Sequence, residues 1–135
     1  MVFLSVYQKI MKYSESLKSN QDFKKVYTQG KSIANRYLVM YVRENGLGKN
    51  RVGISVSKKV GNSVVRHTVT RKVREAYRLN EEKFAVGYDM VVVARVRAKD
   101  CTYFEIERAI CHLGRHHHLI QKVNPSEERN EKSSN

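Results

Sequence analysis

Long hydrophobic runs and paired cysteines are absent from this sequence of 135 residues. No stretch approaches the roughly 18 consecutive apolar residues of a membrane-spanning helix. The apolar start, residues 1–10, lacks the basic region and the small-residue cleavage site of a signal peptide. Cys101 and Cys111 form no C-x-x-C pair, so we expect two buried, reduced thiols and a cytoplasmic protein.

Acidic residues are scarce in the N-terminal part. Residues 1–74 contain 16 Lys or Arg against three acids, whereas residues 75–135 contain ten of each, so the formal net charge of +13 belongs to the first part. A charge needed only for solubility would not be confined in this way. The distribution indicates an anionic partner, either a nucleic acid or an anionic membrane surface.

The length and the 41% hydrophobic content suit one globular domain. We predict that this domain covers residues 12–122. Residues 1–11 are predicted to be a disordered N-terminal extension, and the polar residues 123–135 a disordered tail.

Three helices are predicted from apolar residues that recur every three or four positions. The first lies within residues 19–30 and the second runs from about residue 63 to Asn80. The third follows a Thr102-x-x-Glu105 capping box.

Three strands are predicted from alternating or continuous apolar residues, at 37–43, 51–57 and 89–96. Because residues 44–50 are rich in Gly and Asn, we expect the first two strands to pair as a hairpin. Small residues of the second strand would share a face with the tyrosines of the first, which leaves a shallow trough. Together these elements predict an α+β fold, an α/β sandwich with helices packed on one sheet. The trough face would contain Tyr37, Val39, Tyr41, Arg43, Gly53, Ser55 and Ser57.

The second helix separates into two faces when it is projected at 100° per residue. The predicted core-facing stripe contains Val65, Val69, Val73 and Ala76. The opposite face contains His67, Arg71, Arg74 and Arg78, with Arg66 at its border.

A charged helix face is most often a solvated surface. Here no Glu precedes any of these arginines by four residues, and like charges at this spacing cost a few tenths of a kcal/mol per pair. Lys58 and Lys59 add charge just before the helix N-terminus, where anions are favoured. We therefore interpret this face as a phosphate-binding surface, for which the arginine fork is well suited.

Aromatic residues help to distinguish among nucleic acids. Four rings, those of Phe23, Tyr27, Tyr37 and Tyr41, could line the trough beside basic residues such as Arg36 and Arg43. Rings beside positive charge suit single-stranded nucleic acid, whose unstacked bases stack on them. A place in the hydrophobic core is an equal alternative for each ring taken singly.

Two segments resemble the protein subunit of bacterial ribonuclease P. They are RVGISVSKKVGNSVVRHTVTRKVREAYR and, upstream, NQDFKKVYTQGKSIANRYLVMYV with its DFxxVY and SIANR pieces in the family's order and spacing. The resemblance extends from about Lys12 to Ile120. It implies an α-β-β-β-α-β-α fold with a left-handed βαβ crossover, although right-handed crossovers are the general rule.

The resemblance also implies a function. The chain would be the RNA-binding subunit of a ribonucleoprotein endoribonuclease that removes the 5′ leader of precursor tRNA and leaves a 5′-phosphate on the tRNA. The catalytic RNA, with Mg²⁺, would perform the hydrolysis, and the chain alone would bind no cofactor and no metal and contribute no catalytic residue. Its partners would be the catalytic RNA and precursor tRNA, with no membrane and no obligate protein partner.

The family's site residues carry over to matching positions. The basic helix and its preceding loop would contact the catalytic RNA through Lys58, Lys59, Asn62, Arg66, Arg71, Lys72, Arg74 and Arg78. The trough would bind the single-stranded leader through Phe23, Tyr27, Asn35, Arg36 and Tyr41. The family's helix usually begins Arg-Asn-Arg and continues with a Lys, whereas His67, Thr68 and Thr70 occupy three of those places here. We therefore expect its RNA contacts to be redistributed.

Two other functions remain as alternatives. An autonomous nuclease would need convergent carboxylates or a positioned base, but the basic region contains no D-x-D or E-x-K. A structural RNA-binding protein, such as a ribosomal protein, is compatible with the composition, and only the resemblance argues against it.

The histidines near the C-terminus suggest a zinc site, since His112 and His116 have helical i, i+4 spacing. The run continues with His117 and His118, but no Cys or acid completes a tetrahedral set. A polar cluster at the helix end is the favoured interpretation, because cations there complement the helix dipole.

Overall fold

A five-stranded sheet carries one helix on one face and two on the other. The computed structural model describes residues 11–121. The strands are β1 (Ser14–Ser16), β2 (Lys31–Ala34), β3 (Leu38–Glu44), β4 (Asn50–Ser55) and β5 (Tyr88–Ala94). The helices are α1 (Asn20–Gln29), α2 (Ser63–Asn80) and α3 (Tyr103–His116), with short 3₁₀ turns at Glu81–Lys83 and Val96–Asp100. This confirms the α+β class, and β1 precedes the predicted order of elements.

The strand order β1-β4-β5-β3-β2 differs from the predicted hairpin. β3 and β4 are consecutive in the chain but not neighbours, because β5 lies between them, antiparallel to β3 and parallel to β4. The physical reason lies at Asp89 of β5, which is aligned with Arg43 on one side and with Arg51 on the other. The predicted pairing of β3 with β4 was therefore wrong.

The connection from β4 through α2 to β5 joins two adjacent parallel strands, as a βαβ unit does. The left hand that the resemblance implies for this crossover stays a prediction.

Local capping signals set the helix ends, and the capping box of α3 confirms a prediction from the sequence. Ser19 caps α1 and Asn62 caps α2, each through a side-chain oxygen that accepts a backbone N–H. Thr102 and Glu105 form the complete capping box of α3. Gly30 ends α1 at φ −84°, a backbone conformation that any residue can adopt. A glycine is needed here because there is no room for a side chain. A Cβ there would lie 2.5 Å from the carbonyl oxygen of Val26.

Two hydrophobic clusters lie on opposite faces of the sheet. The larger one packs α2 and α3 against the sheet and includes the predicted stripe of α2, in which Val69, Val73 and Ala76 are buried and Val65 is partly buried. Full burial of a valine contributes about 1.5–3 kcal/mol, which compensates for the modest helix propensity of this residue. The smaller cluster, under α1, contains Leu17, Val26, Val91, Phe23, Tyr41 and Val93.

Some predictions concern the ends of the chain. Most of the proposed N-terminal extension and the proposed tail lie outside the described residues. Met11, the first described residue, packs against the larger cluster. Among residues 11–121, no helix combines the length and the apolar character that crossing a bilayer requires. Cys101 and Cys111 are both buried thiols, as predicted.

Candidate nucleic-acid interface

The outer face of α2 and the turn before it carry four exposed cations. Lys58, Lys59, Arg71 and Arg74 are exposed, and none has an ion pair or side-chain hydrogen bond within residues 11–121. We call these four residues the basic ridge. His67 is exposed on the same face. The turn that carries the two lysines leads directly into the capped N-terminus of α2, so the ridge is continuous from loop to helix.

Arg78, at the end of that face, is half-buried and bound to an acid. Its Nε donates to Oε2 of Glu75 at 3.1 Å, and this bond raises the pKa of the guanidinium. Arg66, at the border, is half-buried, and its Nε is buried without a hydrogen-bond partner among the described residues. These two arginines are less available to an external anion than the ridge is.

Lys72 and Asn62 have structural roles in the protein. Lys72 points towards α3, and its Nζ donates to the carbonyl oxygen of Cys101 at 2.7 Å. Asn62 accepts the backbone N–H of Val65 at 3.0 Å as the cap of α2. The structure therefore places two of the eight predicted RNA contacts where their side chains already stabilise the fold.

Three of the predicted leader residues form an aromatic cluster on the α1 face, which we call the trough. The rings of Tyr27 and Tyr41 meet edge to face with centroids 4.9 Å apart, and those of Phe23 and Tyr27 are 6.4 Å apart. Phe23 lies over Gly53, where a Cβ would be 2.4 Å from its Cζ atom. As predicted, the small residue of β4 makes room for an aromatic side chain on this face.

Asn35 and Arg36 lie apart from this cluster, at the β2–β3 turn against α3. The Oδ1 of Asn35 accepts the backbone N–H groups of Tyr37 and Leu38, and its Nδ2 donates to the carbonyl oxygen of Ala109 at 3.0 Å. Arg36 is exposed beside α3. The structure thus separates these two residues from the aromatic trough.

Tyr37 differs from its predicted position beside the rings, whereas Arg43 lies on the α1 side of the sheet, as predicted. Tyr37 packs on the α3 face, and its hydroxyl donates to Oε2 of Glu105 at 3.2 Å. Arg43 donates from Nε to Gln29 at 2.8 Å and lies 3.6 Å from Asp89. The prediction that Tyr37 shares the trough face was wrong, because β3 begins only at Leu38 and period-two alternation does not extend to the turn before it.

Asp89 is the centre of an ion-pair network that the sequence did not reveal. The carboxylate is 1% exposed and receives Nε and Nη2 of Arg51 at 2.8 and 2.7 Å, together with the amide of Asn45 at 2.9 Å. Burial alone would raise the pKa of Asp89, but these donors hold it below its ordinary value. Arg51 also lies 3.7 Å from Asp22 of α1, so the network links the helix that carries Phe23 to the sheet. The signal for this network in the sequence is Asp89 itself, an acidic residue near the start of an apolar strand.

Arg95 and Arg97 are two further exposed cations that sequence reasoning missed. They follow β5 at the end of the sheet where β4 leads into the basic ridge. Nη1 of Arg95 donates to the carbonyl oxygen of Asn35 at 2.8 Å. The sequence analysis assigns residues 89–96 to a strand and does not consider Arg95 and Arg97 as part of a basic surface.

The C-terminal histidines form a polar cluster at the end of α3. The rings of His112 and His116 are 4.3 Å apart, and Nε2 of His117 donates to the carbonyl oxygen of Met40 at 2.8 Å. His118, two residues beyond the end of α3, has φ 62°. Within residues 11–121, no group of three or more His, Cys, Asp or Glu side chains is arranged to hold a metal ion.

Comparisons with known proteins show which sequence family and which solved structures this chain is similar to. The sequence model of the family described as Ribonuclease P matches residues 11–118. The ribonuclease P protein component of Lachnoclostridium phytofermentans is 55% identical over 112 residues, which cover 83% of this chain and 97% of that protein.

Solved structures show the same relationship. The RNase P protein of Staphylococcus aureus has a TM-score of 0.72 at 36% identity, with 78% of this chain and 97% of that chain covered. The RNase P protein of Thermotoga maritima has a TM-score of 0.69 at 31% identity, and the match covers 74% of this chain and 94% of that chain. The described fold and the family match over residues 11–118 together show that the chain belongs to the ribonuclease P protein family, which has a role in processing the 5′ leader of tRNA with an RNA subunit.

Proposed function

We propose that this chain assists a catalytic RNA in cutting the 5′ leader from precursor tRNA, by binding the leader and by screening phosphate repulsion. The observation that carries the proposal is the separation of two surfaces on one small fold. Cations without protein partners form the ridge on α2, and an aromatic trough lies across the sheet under α1. One surface suits a folded RNA backbone and the other suits unstacked bases.

The basic ridge would bind the catalytic RNA. Each phosphate that a Lys or Arg neutralises releases counterions, so the affinity falls steeply as salt rises. Six or more such contacts would weaken binding by about three or more orders of magnitude between 50 and 200 mM salt. The four ridge residues, with help from Arg66 and Arg78, would supply them.

The trough would hold the leader. Stacking a base on an aromatic ring contributes about 1–3 kcal/mol and tolerates any base sequence. The edge-to-face packing of Tyr27 against Tyr41 fixes both rings in place before binding, which lowers the ordering cost. A leader bound in this way raises the affinity of the complex for precursor tRNA over mature tRNA.

Hydrolysis is assigned to the RNA partner and its Mg²⁺ ions. The carboxylates near the interface have structural partners: Asp89 binds Arg51, and Glu75 binds Arg78. Glu105 belongs to the capping box of α3. In this proposal the Mg²⁺ ions are held by RNA phosphates.

The decisive experiment is a processing assay at low Mg²⁺. Precursor tRNA is incubated with the cognate catalytic RNA, with and without the protein, and 5′ cleavage is followed. We expect the protein to restore cleavage and to lower the Mg²⁺ requirement. Unchanged processing on adding the protein would refute the proposal, and cleavage by the protein without RNA would instead support an autonomous nuclease.

Tyr41→Ala tests the leader site in the same assay. We expect the affinity for a long-leader substrate to fall by about tenfold, in line with the loss of one stacked base, while a substrate without a leader is unaffected. Equal losses on both substrates would show that Tyr41 serves only the hydrophobic cluster in which it packs.

A further inference from the structure

We propose that a second RNA-binding groove, distinct from the ridge and the trough, runs along the outer face of α3 and binds backbone phosphates. Arg36 from the β2–β3 turn and Arg108, His112 and Arg115 from α3 line this groove, which has a volume of about 610 Å³. The inference rests on the proposed function, because it adds a contact to the same ribonucleoprotein.

Asn35 holds the two sides of the groove together. Its Nδ2 donates to the carbonyl oxygen of Ala109 at 3.0 Å and lies 3.4 Å from Nδ1 of His112. Its Oδ1 accepts the N–H groups that shape the turn. Because Arg36 is the next residue, the same contacts fix the start of its side chain beside α3. The groove is thus preformed.

The groove is cationic. Three arginines and Lys83 line it against two carboxylates, Glu105 and Glu107. Glu105 accepts the backbone N–H of Thr102 at 3.0 Å, and Glu107 accepts the Tyr103 hydroxyl at 2.9 Å. Both carboxylates therefore have donors within the fold. The guanidinium groups of Arg36 and Arg115, in contrast, have no ion pair or hydrogen bond with any residue between 11 and 121.

Complementation of the helix dipole explains only part of this charge. The dipole effect falls off within the last turn, where Arg115 and His116 lie. Arg108 is two turns from the end of α3, and Arg36 belongs to another element. A set of cations from a turn and a helix that converge on one groove is better explained by an external anion.

His112 makes the groove sensitive to pH. Desolvation first, and then the neighbouring charges of His116 and Arg115, lower the pKa of His112 below its ordinary value. Asn35 and Arg36 face it from the turn, and Glu105 and Arg108 lie on the same helix. The ring is therefore neutral at pH 7, and a bound phosphate would favour its protonated form. RNA binding in the groove should therefore be accompanied by proton uptake at His112.

The test uses the full chain assembled with the catalytic RNA. The variant Arg36→Gln/Arg115→Gln removes two charges from the groove, and Lys12→Gln/Lys99→Gln removes two exposed charges elsewhere as a matched control. Affinity is measured in two arms, for the catalytic RNA alone and for precursor tRNA added to the complex, across a salt series. We expect a loss of about tenfold and a salt slope smaller by about 1.5 in one arm for the groove variant only.

The two arms identify the RNA that occupies the groove. A loss in the first arm assigns the catalytic RNA, and a loss only in the second assigns the substrate. Proton uptake is a second readout: calorimetry at pH 6 in buffers of different ionisation enthalpy should show less uptake for His112→Asn than for the unaltered protein.

The same measurements can overturn the inference. The inference is wrong if the groove and control variants have the same affinities in both arms and His112→Asn takes up as many protons as the unaltered protein. This result is distinguishable from failure of the proposed function, in which the unaltered protein would not stimulate processing at all.

Discussion

Gly53 is the residue at which the trough depends most directly on the absence of a side chain. The tip of the Phe23 ring lies against Gly53, and a Cβ there would come within 2.4 Å of Cζ. The same ring belongs to the small cluster under α1, so any displacement reaches Val26 and Val91 as well. The absence of a Cβ at this position in β4 thus affects both the position of α1 and the shape of the aromatic trough.

We predict that Gly53→Val lowers the free energy of unfolding by about 1–3 kcal/mol, the usual cost of overpacking. It should also weaken binding of long-leader substrates while leaving affinity for the catalytic RNA unchanged. Urea unfolding and the two affinities provide the measurement. A variant with unchanged stability would show that Phe23 moves aside freely.

Asp89 is a residue whose charge should set the acid limit of stability. Its pKa is lowered in the folded state, so the unfolded chain binds more protons between the folded pKa and the ordinary value of about 3.9. The stabilisation is complete above about pH 4 and is lost as the pH falls through the folded pKa.

We therefore expect Asp89→Asn to be less stable than the unaltered protein at pH 7, by roughly 2–4 kcal/mol, because Arg51 loses its buried partner. The difference should narrow as the pH falls below 4. Unfolding free energies from urea titrations at pH 3 to 7 test this, and a constant difference over the range would contradict it.

At the scale of elements, α2 has a buried apolar face and an exposed basic face. Val69 and Val73 bury one side, Arg71 and Arg74 occupy the other, and Lys72 lies between them with its ammonium on the carbonyl oxygen of Cys101. Adjacent residues of equal charge should therefore behave differently when they are removed.

Arg71→Ala should reduce the slope of the logarithm of RNA affinity against the logarithm of salt by about 0.7–0.9, with little change in stability. Lys72→Ala should reduce stability by about 1 kcal/mol through the lost hydrogen bond, with a smaller change in slope. Binding titrations at several salt concentrations distinguish the two. An unaltered slope for Arg71→Ala would remove this residue from the interface.

The helices were predictable from the sequence because their signals are local. The cap at Asn62, the box at Thr102 and the stripe through Val69 each involve residues within one or two turns. The strand order was not predictable in this way, because the residue that places β5 between β3 and β4 is aligned with arginines more than 35 positions away.

The candidate site also has parts that local sequence predicts and parts that depend on contacts between distant residues. The ridge and the aromatic trough followed from periodicity and from the resemblance. The position of Asn35 did not, because it depends on the contact of the turn with Ala109, 74 residues away in sequence. The bond from Lys72 to Cys101 is non-local for the same reason.

At the scale of the whole molecule, the net charge of +13 acts in opposite directions on folding and on binding. Repulsion within a basic surface destabilises the compact state and is screened by salt, whereas salt weakens attraction to RNA.

The free protein should therefore become more stable as NaCl rises from about 10 to 200 mM, while its RNA complex becomes weaker over the same range. Thermal unfolding with and without catalytic RNA measures both effects. A free protein that loses stability with salt would show that its internal ion pairs, such as Arg51 with Asp89, dominate over surface repulsion.

The late position of β5 in the sequence has a consequence for synthesis. Within residues 11–121, β5 is the strand that pairs with both β3 and β4, yet about two thirds of the chain must be made before it appears. Until residue 94 has left the ribosome, β3 and β4 each have an edge without its final neighbour, and long-range pairing of this kind is slow to form. The basic ridge and the aromatic trough should consequently become ordered only near the end of translation.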